Sequence, residues 1–169
     1  MLSEAELLPT LAEISVAFAG FASLISVLGG ISSREKMAAN LWRLRGMLET
    51  SVLTLVFSLA PFLPAKFGAS TDTSWRMAAA AFSVAILARI AFRIYARNNP
   101  SLINPIVAWC IGGLQLLAAL LLLSSAVWLP FSMVVGAYHL LLFLVLFVSA
   151  YLFVRVAISV LAPTESEPQ

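Results

Sequence analysis

Charge is what this sequence has least of. Only 11% of its 169 residues are Asp, Glu, Lys or Arg, against about 25% in an ordinary soluble domain, so a charged, water-facing surface around one core is excluded. Cysteine is almost absent. The one present, Cys110, lies inside the apolar run "IVAWCIGGLQLL", so the chain can form no internal disulfide and no thiolate metal cluster. The sole histidine, His139, excludes a bis-histidine haem site and a histidine cluster for zinc within one chain. No nucleophile elbow, Walker loop, dinucleotide fingerprint or metal-ligand spacing occurs. Neither catalysis nor a cofactor or metal is expected. A net charge of +2 and a pI near 9.0 could suit a nucleic-acid binder, but the basic residues stand at the ends of apolar runs, where membrane topology already explains them.

Long apolar runs are what the sequence has instead. Hydrophobic residues make up 62% of it and the mean hydropathy is +1.00. With about 20 apolar residues needed to cross a bilayer, five stretches qualify: about Leu8 to Ile31, Gly46 to Phe67, Trp75 to Arg97, Ile103 to Leu129, and Phe131 to Leu161. The fold expected is an all-α polytopic transmembrane helical bundle without a soluble domain, residues 1–161, followed by a disordered polar tail, 162–169. Pro9 marks the start of the first span, and Pro61 and Pro64 kink or stop the second. The stretches "SSREKMAAN" and "GASTDTSW" read as loops, and Trp42, Trp75 and Trp128 as interfacial aromatics. If "VWLPFS" were a re-entrant turn, four spans would result. The leader "MLSEAELLP" is acidic and no small-residue cleavage pattern follows, so the first segment reads as a retained span rather than a signal peptide.

Arginine and lysine set the orientation. Arg34, Lys36, Arg43 and Arg45 follow the first span, Arg89, Arg93 and Arg97 end the third, and Arg155 lies near the end of the fifth. With five spans these regions share one side, the cytoplasmic one, which places the N-terminus outside and the C-terminus inside. The opening through "LWRLRGMLE" resembles small multi-pass proteins of bacterial inner membranes, which implies that location and no particular activity.

Glu13 is the one carboxylate within the first apolar run. At 100° per residue, Ala17, Gly20, Leu24 and Val27 follow it along one stripe, small near the acid and bulky further on. Ser15, Ala19, Ala22, Ser23 and Ser26 make the other side small and polar enough for close helix packing. One reading is an oligomer whose axis is lined by the first helix, with an acidic mouth at Glu13 and an apolar constriction at Leu24 and Val27. The other is that Glu13, about 7 Å below the helix start, is hydrated by the headgroup region. The order acid, small, apolar, basic is similar to that of the pore helix of the Orai calcium-channel family read in the opposite chain direction. That likeness covers one helix and carries over no residue.

Arg89, Arg93 and Arg97 recur every fourth residue near the cytoplasmic end, as snorkelling arginines do. Arg89 is the deepest and needs water or a carboxylate. Glu49 in "RLRGMLETS" is the partner expected, with Arg45 competing for it as an i, i+4 neighbour. His139, beside Tyr138 in the outer third of the last span, can sense pH or relay protons, or can make an interhelical hydrogen bond; Gln115 lies near the middle of the fourth span.

The function expected from these residues is a homo-oligomeric ion channel or pore-like conduit, with the bilayer, further copies of the chain and cations as its partners. The alternative is a non-catalytic accessory or scaffold subunit of a larger membrane complex. Topology is directly testable: reporters fused after Gly30 and after Gln169 should both report cytoplasm, and an external signal after Gln169 would mean that "VWLPFS" does not join two full spans.

Overall fold

The structure, a computed structural model, describes residues 4–28, 34–95, 105–128 and 130–161. It is an all-α bundle of six helices: α1 (Glu4–Leu28), α2 (Arg34–Leu59), α3 (Phe62–Lys66), α4 (Thr71–Tyr95), α5 (Pro105–Trp128) and α6 (Phe131–Leu161). All but α3 are long and apolar enough to cross a membrane. The break between α5 and α6 separates two such helices, so the count is five and not four.

The helices outrun the apolar windows because helical hydrogen bonding does not stop where apolarity does. Pro9 is therefore inside α1 and not at its start; Glu4 and Glu6 occupy the turns before it, where the positive end of the helix favours acids. The stretch "REKMAANLWRLR", expected as part of a loop, is the first half of α2, since Arg, Glu, Lys, Met, Ala and Leu are all strong helix formers. The expected loop "GASTDTSW" likewise supplies the first turn of α4. Ser70 caps it, its Oγ accepting from the Thr73 N–H at 3.2 Å, and Asp72 sits in the first turn. Pro61 follows the end of α2, whereas Pro64, also expected to stop it, lies inside α3, which then closes in a Schellman turn. The Ala69 N–H donates to the Pro64 carbonyl at 3.1 Å and the Gly68 N–H to that of Ala65 at 3.2 Å. Gly68 takes the left-handed conformation, φ 85°, that this motif requires. The tail, 162–169, lies outside the described residues.

Helix α6 is the centre of the bundle. It packs against α1, α2, α4 and α5 and contributes to both buried clusters. One joins it to Leu8 and Leu11 of α1, Phe82 and Ile86 of α4, and Leu122 of α5; the other joins it to Ala22 of α1 and Leu44 and Met47 of α2. Trp75, near the start of α4, is buried within the bundle, its ring edge-on to Tyr138 at 5.5 Å. A stripe of small polar side chains on α2, Thr50, Ser51, Thr54 and Ser58, is also buried. The Ser51 and Ser149 hydroxyls meet at 2.8 Å, Ser149 Oγ also donates to the Met47 carbonyl at 3.2 Å, and Thr50 and Thr54 bond back to their own helix. Small hydroxyl residues let backbones approach while Thr50, Ser51 and Thr54 each keep a partner, the usual packing device where water is absent; the buried Ser58 hydroxyl has no hydrogen bond among the described residues.

Two prolines each deprive a helix of one N–H, and the bundle supplies a substitute. Residue 61 should donate to the Phe57 carbonyl but is proline; Tyr138 Oη of α6 donates to that carbonyl instead. Residue 130 should donate to the Ala126 carbonyl but is also proline; Arg76 Nη1 of α4 donates there at 2.9 Å. A cation at the C-terminal end of α5 further suits the helix dipole.

Tyr138→Phe should therefore lower stability in detergent by about 1–3 kcal/mol, the cost of leaving a buried carbonyl unpaired. In that background Pro61→Ala, which restores an N–H, should recover part of the loss in thermal denaturation. Simple additivity of the two changes would show that Tyr138 acts through packing alone.

Candidate functional site

The stripe singled out on α1 faces away from the bundle. Leu8, Leu11, Ala12, Ser15 and Ala22 form the buried side of the helix, while Glu13, Ala17, Gly20 and Leu24 are exposed. Leu24 is 60% exposed, and a β-carbon added at Gly20 would meet nothing within 4 Å. The side chain of Val27 lies outside the described residues, as does that of Ser26. Of the opposite set, Ser15 and Ala22 are buried, Ala19 is half-buried and Ser23 is exposed. Glu13 is thus a carboxylate on an outer, otherwise apolar face, seven residues or about 10 Å along the helix from Glu6, where the apolar window begins.

A second locus lies between α2 and α4. Glu49 is approached by two arginines: Arg45 Nε at 2.9 Å from Oε1, one turn away on the same helix, and Arg89 Nε of α4 at 3.9 Å from Oε2. The structure thus brings Glu49 and Arg89 together and keeps Arg45 on the same carboxylate. Their surroundings differ sharply, because Arg45 is 72% exposed at its side chain and Arg89 only 10%. The side chain of Arg93 and all of Arg97 lie outside the described residues. Below this cluster the two helices stand apart, joined at depth by the stacked rings of Phe57 and Phe82, 4.5 Å between centroids. Between them is an open cavity of about 730 Å³ with apolar walls.

His139 belongs to neither locus. Its Nδ1 bonds to the Val135 carbonyl of its own helix at 2.8 Å, and its ring lies 5.6 Å from that of Trp75. The bond is local, not interhelical, and among the described residues no contact joins His139 to Glu13. Gln115 is buried, its Nε2 without a hydrogen bond among the described residues. Also among the described residues, no three of His, Cys, Asp and Glu converge as metal ligands would.

Sequence reasoning missed Arg76 and the role of Tyr138. A signal existed for half of each: a proline four residues after Phe57 and another four after Ala126 identify the carbonyls left without a donor. Nothing in the sequence identified the donors, which come from other helices. The hydroxyl stripe at Thr50, Thr54 and Ser58 was also legible from its fourfold spacing.

No protein-family model matches this chain, nor does any curated protein or solved structure.

The geometry at Glu49 gives a test. Arg45→Gln should cost under about 0.5 kcal/mol, as an exposed helix pair does. Arg89→Gln should cost more, about 1–2 kcal/mol, below the value for a fully buried pair because water reaches Glu49. The Arg89→Glu, Glu49→Arg double variant should be more stable in detergent than the sum of its single changes predicts. Strictly additive losses would mean that each group is hydrated separately.

Proposed function

We propose that this multi-pass membrane protein works as a homo-oligomeric conduit for cations, lined by the outer face of α1. The observation that carries the reading is the exposure of Glu13, Ala17, Gly20 and Leu24 on one face. An ionised carboxylate turned towards acyl chains costs a few kcal/mol, whereas an axis between copies can hold water around it. The path belongs between copies because the middle of the bundle is filled by side chains such as Tyr138, Phe82 and Leu142. Along the stripe Glu13 forms the mouth, Ala17 and Gly20 leave width, and Leu24 forms the apolar constriction. The protein carries out no covalent chemistry in this reading and sits in a cell inner membrane, N-terminus outside and C-terminus cytoplasmic.

A second reading, a non-conducting scaffold subunit, draws on the hydroxyl stripe of α2. Its Thr50, Ser51 and Thr54 hydroxyls are spent on helix contacts, which suits packing rather than an aqueous path.

Flux in reconstituted liposomes separates the two. Glu13→Gln should reduce cation flux about tenfold or more by removing the charge that concentrates cations at the mouth. Leu24→Ser should raise basal leak by wetting the constriction. Flux equal to that of empty liposomes for several cations, unchanged by Leu24→Ser, would reject the conduit and favour the scaffold.

A further inference from the structure

The gap between α2 and α4 is shaped like one leaflet of lipid. Along α2 it runs from Arg45 to Phe57, twelve residues or about 18 Å, close to half of the roughly 30 Å hydrocarbon core. One end carries the Arg45, Glu49 and Arg89 cluster; the other is closed by the Phe57–Phe82 stack. Val52 and Val56 wall one side, about half exposed, and Ala85 and Ala88 leave width on the other. The gap opens sideways, away from the face of α2 that holds Ser51 against α6.

We propose that this groove binds an anionic phospholipid of the leaflet at the Arg45 end, one acyl chain along Val52 and Val56 and the headgroup phosphate on Arg45, with the shielded Arg89 holding Glu49 from behind. Charge selects the headgroup. Among the described residues two guanidinium groups face one carboxylate, a formal net charge of one positive, whereas Asp72 and Arg76 at the opposite end of α4 balance each other. Guanidinium groups suit phosphate because their planar fork can donate two parallel hydrogen bonds. Glu49 orients Arg45 and at the same time competes with the phosphate for it. Apolar walls below the cluster require a chain as well as a headgroup, which distinguishes a lipid from a free phosphate ester.

The test uses delipidated full-length protein in non-ionic detergent and native mass spectrometry, so it does not depend on conduction. Phosphatidylglycerol, phosphatidylcholine and glycerol phosphate are titrated in parallel. One phosphatidylglycerol should bind per chain, about fivefold more tightly than phosphatidylcholine, as expected for one net charge near the membrane surface. Glycerol phosphate should not bind in the same range. Arg45→Gln, at an exposed position, should abolish the preference without loss of helicity. Glu49→Gln should strengthen it, because the cluster gains a second net charge; a weaker preference would contradict the proposal. Ala88→Trp should fill the groove and remove the bound lipid. Equal binding of the two phospholipids, binding of glycerol phosphate at the strength of phosphatidylglycerol, or lipid retention unaffected by Ala88→Trp would each overturn the proposal. So would a dimer that Ala88→Trp dissociates, which would make a second copy the occupant.

Discussion

A backbone carbonyl without a partner is the constraint around which this bundle is arranged. In a bilayer no water can supply the missing hydrogen bond, so every helix break must be satisfied by the protein itself. Pro61 and Pro130 create two such breaks, and the donors that answer them, Tyr138 and Arg76, come from α6 and α4. Each bond reaches across the sequence, tying the end of α2 to the first third of α6 and the end of α5 to the start of α4. The aromatic contacts of Trp75, Phe82 and Phe57 gather around Tyr138, so the site of one polar bond is also a cluster of packed rings.

The same physics divides each helix into faces. On α2 the hydroxyl side turns to α6, while the opposite side carries Arg45, Glu49, Val52 and Val56 along the open groove. On α1 the side with Leu11, Ser15 and Ala22 is buried, while Glu13 and the residues below it are left to the surroundings. Arg89, with a side chain only 10% exposed, meets the half-exposed carboxylate of Glu49 across the groove.

Five apolar runs were enough to read the number of spanning helices, since each run matches the bilayer thickness. Helix starts were harder to read. Polar segments before α2 and α4 stay helical through propensity and a serine cap, neither of which alters hydropathy. The approach of Glu49 to Arg89 was legible because a deep arginine requires an acid and antiparallel helices share an end. What could not be read was which helix lies at the centre. All five runs are apolar nearly all round, so no stripe on α6 distinguishes it from α5, and its four neighbours follow only from three-dimensional packing. For the same reason the direction in which Glu13 points was undetermined until its neighbours Leu11 and Ser15 were seen to be buried.

The functional account rests on the outer face of α1 meeting the same face of another copy. Cysteine cross-linking in native membranes tests this most directly, because the chain's one cysteine, Cys110, can be removed by Cys110→Ser. In that background Ala17→Cys and Gly20→Cys should each yield a covalent dimer on mild oxidation, while Val84→Cys, exposed on α4, should not. Monomer at both α1 positions, under oxidation that cross-links a known membrane oligomer in the same cells, would contradict the account.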